Sequence, residues 1–105
     1  MSEKEILNVW KTSRDMYSLA KALRTFIQKH ELVQKHEIKV RVYYCHRRYE
    51  YFAIILRKRS CSKTICWSLE ALMHEIKDMG LKDAFDFITR NAVCHLMELF
   101  KEETL

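Results

Sequence analysis

The side chains of this 105-residue chain that could do chemistry fall into three groups. The first is the run His46-Arg47-Arg48-Tyr49. Arginine can stabilise a phosphorane, and histidine or tyrosine can move protons, so the run holds the parts for metal-free RNA cleavage. The second is a thiol and imidazole set: Cys45-His46, Cys61, Cys66, His74 and Cys94-His95. These are zinc-ligand types, but the short Cys-x-x-Cys pair that marks most structural zinc sites is missing. Cys66 and Cys94 fall where core residues are expected, and a buried free thiol packs as a small hydrophobe. The expectation is reduced thiols with no metal and no cofactor. The third group is acidic. Asp83 and Asp86 share a helix face beside Glu75 and Asp78. They could hold a divalent ion, but charge favoured by the dipole at a helix start accounts for them without one. His74 and Glu75 adjoin on one helix, where neighbours point about 100° apart, so they are not a ready dyad. No catalytic constellation emerges, and the chain reads as non-enzymatic.

The charge distribution carries more information. From Lys39 to Lys63 there are eight basic residues, Lys39, Arg41, Arg47, Arg48, Arg57, Lys58, Arg59 and Lys63, against the single acid Glu50, a net of +7. Residues 1–38 carry +2 and residues 64–105 carry −4, so the whole-chain charge of +5 is a local feature. Tyr43, Tyr49 and Tyr51 interleave with the basic positions. Arginine and lysine beside aromatic rings suit an anionic partner: cations for phosphates, rings for bases. An acidic protein surface meets the same electrostatics. The plainer account is a sheet edge kept basic to prevent edge-to-edge pairing.

The elements that must position these residues follow from periodicity. Residues 38–45 and 50–58 are rich in β-branched and aromatic types without Gly or Pro, which predicts two strands around a basic turn. A four-residue turn at 46–49 would pair Cys45 with Glu50 and Val42 with Ala53. Ile38, Val40, Val42 and Tyr44 would face inward, and Lys39, Arg41 and Tyr43 outward. In that register Phe52, Ile54 and Leu56 would stand on the outward face. That apolar surface is too large to leave wet, so a helix or a second copy of the chain would have to cover it. Residues 62–67 are the candidate third strand, although Ile65, Leu69, Leu72 and Ile76 also fit a helical stripe.

Ser2 and Glu5 form a capping box for a helix expected over 3–30, with Ser13 able to cap a second start. Ser68 caps a helix over 68–79, Gly80 sits where a left-handed C-cap belongs, and a last helix spans 82–102. Trp10 and Trp67 read as packing anchors. The result is one α+β domain over 1–105, ordered α-β-β-β-α-α. No apolar run reaches the length of a membrane span, and the N-terminus lacks a secretory pattern, so a cytoplasmic location is expected.

Two partial likenesses bear on this reading. Small toxin ribonucleases of the RelE type also assemble Arg, Lys, Tyr and His on a strand meander. The likeness rests on composition, since the leading strand of that fold is absent here and a helix pair closes the chain. The order helix, three strands, helix is similar to that of the double-stranded-RNA-binding domain. Its Gly-Pro-x-His loop and Lys-Lys-x-Ala-Lys helix start are missing, and residues 68–73 are Ser-Leu-Glu-Ala-Leu-Met. Order alone transfers no function. The sequence therefore points to a small regulatory binding protein that engages nucleic acid through its basic hairpin. A module inhibiting a nucleic-acid-handling enzyme and a small ribonuclease are the alternatives.

Overall fold

The computed structural model of the chain describes residues 15–104, with side chains as far as residue 102. The capping box, Trp10 and Ser13 lie outside the described residues. The elements are α1 (Met16–Lys29), α2 (Glu31–Lys35), β1 (Lys39–His46), β2 (Glu50–Lys58), β3 (Cys61–Ser68), α3 (Leu69–Met79) and α4 (Leu81–Thr104). The strands form an antiparallel meander in the order β1-β2-β3. The third strand is therefore real, and the helical alternative for its residues is set aside.

Asp15 starts α1. Its carboxylate accepts from the Tyr17 and Ser18 amides, both at 3.1 Å, and from the Ser18 hydroxyl at 2.6 Å. These bonds, the Ser18 hydroxyl first, hold the Asp15 carboxyl below its usual range. Of the helix expected over 3–30, the described part is α1, which starts at residue 16 because Asp15 captures the free amides of its first turn. His30 ends α1 in extended geometry, and its Nδ1 accepts from the Leu32 amide at 3.2 Å to cap the short α2. That helix lies between α1 and β1, a stretch for which periodicity predicted no element.

The core lies between one face of the sheet and the helices. Val40, Phe52, Ile54 and Leu56 pack there with Leu23 and Ile27 of α1, Leu72 of α3, and Phe85, Ile88 and Leu96 of α4. α1 also grips the outer edge of β1. The Gln28 amide donates to Ile38 O and accepts from Val40 N, both at 3.0 Å, and Arg24 Nε donates to Val40 O at 3.2 Å. A side chain thus stands in for a neighbouring strand along the first half of that edge.

The observed register corrects the expected one by a single residue. His46 pairs with Glu50, Cys45 with Tyr51, Tyr44 with Phe52, Val42 with Ile54 and Val40 with Leu56. The loop is the three-residue Arg47-Arg48-Tyr49, not a four-residue turn. Because side chains alternate with period two, this shift sends the whole Phe52-Ile54-Leu56 set to the opposite face. All three are fully buried beneath the helices. The apolar surface that called for a second copy of the chain is therefore absent from the outward face.

Two thiols also depart from expectation. Cys66 and Cys94 are exposed, and Cys61 is the buried one. Cys66 pairs with Ala53 on the outward face, and Cys94 turns to solvent on the polar side of α4. Gly80 does take positive φ, at 90°, but its ψ of 160° is extended and not left-handed helical. α4 begins at the very next residue, and Gly80 O accepts from the Ala84 amide at 3.0 Å as its first helical bond. One residue therefore closes α3 and opens α4, and an opening residue needs extended ψ.

Candidate functional site on the open sheet face

The described helices share a core with the Phe52-Ile54-Leu56 side of the sheet, so among the described residues strand pleating decides what the other side presents. Four cross-strand rows line it: Lys39-Arg57-Ser62, Arg41-Ile55-Thr64, Tyr43-Ala53-Cys66 and Cys45-Tyr51-Ser68. One end is cationic and the other aromatic. Tyr43 is 48% exposed and Tyr49 57% exposed. Tyr49, in the hairpin loop, lies against Tyr51 with ring centroids 5.0 Å apart and planes tilted by 38°. Hydrogen bonding to the Cys45 side chain, then burial, raises the Tyr51 phenol above its ordinary pKa, while Arg47 pulls it the other way. The distance from the Tyr51 row to the Arg57 row is six strand steps, about 20 Å at the usual rise.

The ten residues singled out from sequence divide between two faces. Lys39, Arg41, Tyr43 and Arg57 lie on the open face, with Tyr49, Arg47 and Arg48 at its hairpin end and Arg59 at its other end. Lys58 and Lys63 alternate to the helix side. Lys58 donates to His36 O at 2.6 Å and sits 5.3 Å from the centre of the Phe100 ring, so it serves the fold. Lys63 is exposed at the free edge of β3.

Of the residues in the alternative ribonuclease reading, Arg47, Arg48 and Tyr49 form the hairpin loop, with Tyr49 lying against Tyr51. His46 pairs with Glu50 on the helix side of the ribbon, where the Tyr44 hydroxyl donates to Glu50 Oε2 at 2.7 Å. That bond pushes the Tyr44 phenol up to about 12. Tyr43 and Tyr51 face the other way.

The sequence reading missed one polar cluster. His30 and Asp86, 56 residues apart, meet at 2.6 Å, and Arg90 Nε donates to the second Asp86 oxygen at 2.8 Å. Nothing in the sequence pattern links a helix end to a position one turn into a distant helix. The pair has the look of an acid–base dyad. However, His30 Nδ1 already accepts the Leu32 amide, so Nε2 carries the hydrogen and donates to Asp86. Both nitrogens are thus engaged within the fold, and neither is left for a substrate. The His30 bond first, and Arg90 second, hold the Asp86 carboxyl below its usual range. Asp86 is thereby committed to His30 and Arg90 and does not combine with Asp83 in a cation site. Among the described residues no group of three or more His, Cys, Asp or Glu could hold a metal ion.

A groove of about 570 Å³ runs along α1 past Ser18, Phe26 and His30, with no residue of the sheet in its lining. A smaller cleft of about 260 Å³ lies at the cationic end of the sheet, lined by Glu37, Lys39, Arg57 and Arg59. No described helix is long and apolar enough to cross a membrane. No family model, curated protein or solved structure matches the chain.

Proposed function

We propose that this chain is a non-enzymatic binding protein that holds single-stranded nucleic acid across the open face of its sheet. The observation that carries the reading is the juxtaposition, on a face that no described helix covers, of Lys39, Arg41 and Arg57 with Tyr43, Tyr49 and Tyr51. Phosphates would lie along the cations and unpaired bases against the rings. Stacking on a flat aromatic surface needs bases that are free of a duplex, which favours a single strand. The plainer account, an edge kept basic against pairing, is weakened by Gln28 and Arg24. They already occupy the first half of the β1 edge, yet Lys39 and Arg41 still stand on the face. The protein would act by occupancy.

The test is binding of a short labelled single strand at graded salt. Three to five neutralised phosphates give a log–log slope of roughly −2 to −4 for a single strand. Replacing Tyr43 and Tyr49 with Ala should weaken binding by about tenfold or more at an unchanged slope, since each stacked base is worth about 1–3 kcal/mol. Replacing Arg47 and Arg48 with Glu should weaken binding and make the slope shallower. Equal affinity for a blunt duplex, with no effect of the Tyr pair, would remove the stacking face. If no oligonucleotide binds near 100 mM salt, while the Arg pair is needed to retain an acidic protein, the interaction-module reading replaces this one.

A further inference from the structure

The cationic end of the sheet contains a feature that a general nucleic-acid face does not require. Lys39 and Arg57 are direct cross-strand partners on the same exposed face. Like charges so placed repel and destabilise a sheet. Arg59 adds a third cation to the same cleft. Among the described residues, the close contacts of basic side chains with carboxylates are His30–Asp86, His74–Asp78 and Arg90–Asp86, and none of them involves these three cations.

The walls of the cleft are held by the local fold. Glu37 and Arg59 are the only described non-glycine residues with positive φ, at 55° and 56°: Glu37 follows α2 and its amide donates to Gln34 O, and Arg59 opens the two-residue turn between β2 and β3. Both are pinned from behind. Lys58 Nζ holds His36 O beside Glu37, and Arg57 Nε donates to Arg59 O at 3.0 Å. That last bond uses the Nε of Arg57 and leaves its two terminal nitrogens to the cleft. Unpaired like charges gathered on a fixed frame describe a site suited to an anion that the described residues do not supply.

We infer that this cleft receives a terminal phosphate monoester, the phosphorylated end of the strand that the sheet face binds. The inference rests on the reading under Proposed function and identifies which end chemistry that face selects. Charge decides between a monoester and an internal diester. Three cations and one carboxylate leave the cleft at +2. A monoester carries about −1.5 to −2 near neutral pH, against a single charge for a diester. The place in the fold agrees, because the cleft lies at the end of the sheet opposite the tyrosines, where a strand laid along the face would terminate. Glu37 does not oppose this. Its carboxylate is free to hold one ammonium or to accept a sugar hydroxyl next to the seated phosphate.

The test compares five-residue oligouridylates ending in 5′-phosphate, in 3′-phosphate, or in hydroxyls at both ends, at about 100 mM salt where exposed charges more than a Debye length apart are screened. One phosphorylated form should bind at least about fivefold tighter than the hydroxyl-ended form, the effect of one charge-assisted contact at a partly exposed site. In the Lys39→Gln/Arg59→Gln variant that preference should fall below about twofold, by the same loss of contacts. Equal affinity of the wild-type protein for all three ends overturns the inference and leaves the sheet face standing. If none of the three binds, titration with inorganic pyrophosphate decides the matter. Amide shifts confined to residues 37, 39, 57 and 59 keep the anion cleft and sink the sheet face. Absence of any shift sinks both.

Discussion

Replacement of Arg59 by Gly separates what this residue does for the fold from what it does for a ligand. Arg59 is the first of two residues, Arg59-Ser60, joining β2 to β3 between the paired Lys58 and Cys61. Its φ of 56° is that of a tight hairpin position where glycine normally stands. For a residue with a Cβ this conformation costs about 1–2 kcal/mol. Glycine removes that cost but loses about 0.5–1 kcal/mol more on ordering from the unfolded chain. The hydrogen bond from Arg57 ends on the backbone oxygen of residue 59 and survives the change. Loss of one cation from the trio with Lys39 and Arg57 relieves repulsion further. The net expectation is a stabilisation of roughly 0.5–1 kcal/mol. At roughly 4–8 °C per kcal/mol for a domain of this size, the melting temperature should rise by about 2–8 °C. Binding of a single strand should weaken in the same variant, with the salt slope shallower by about 0.7 as one phosphate contact disappears. Thermal melts and a salt series on one preparation test both arms. A lower melting temperature would refute the strain argument. A higher one with unaltered binding would show that the positive φ serves only the turn.

Three further outcomes follow from named contacts. Gly80 stands at φ 90° and ψ 160°, a region almost closed to other residues, although an added Cβ would meet nothing within 4 Å. Gly80→Ala should therefore cost about 1–3 kcal/mol through backbone strain alone, read from denaturant midpoints. Burial raises the pKa of Glu75, whose Oε1 accepts from Trp67 Nε1 at 3.0 Å while Oε2 is buried without a partner. A raised folded pKa means stability present below the unfolded value and lost as pH climbs through the folded one. Glu75→Gln, which keeps the acceptor for Trp67, should melt higher than the parent at pH 7, and the gap should close towards pH 4. Asp86 has the opposite sign, with a depressed pKa from His30 and Arg90, so its contribution is present above the ordinary carboxylate range and lost on acidification. Asp86→Asn should be less stable than the parent at neutral pH and approach it as pH falls below about 4. A constant difference between the two proteins across that range would mean that the contacts of the Asp86 carboxylate with His30 and Arg90 contribute nothing.

Much of the architecture is determined locally and is legible in the chain. β-branched and aromatic runs set three strands at nearly their observed limits. Ser68 and Gly80 mark the limits of α3, with the Ser68 hydroxyl accepting from the Ala71 amide at 3.0 Å. β1 alternates basic and apolar residues, so its inward set, Val40, Val42 and Tyr44, follows from sequence alone. β2 carries no such information. Phe52, Ile54 and Leu56 on one side and Tyr51, Ala53 and Ile55 on the other are both apolar enough to be buried. The loop that should have set the register contains neither Gly nor Asn, so its chemistry does not distinguish three residues from four. Tertiary structure made that choice. The helices supply one apolar surface, and β2 turns its larger, better-filling side chains towards it. The same choice puts Lys58 among the helices, Cys66 on the open face, and Lys39 opposite Arg57 at one end of it. Composition announced a basic hairpin. The separation into a cationic end and an aromatic end exists only once three strands are aligned, because it depends on pairings between residues up to 23 apart in the chain, as Lys39 is from Ser62 across Arg57.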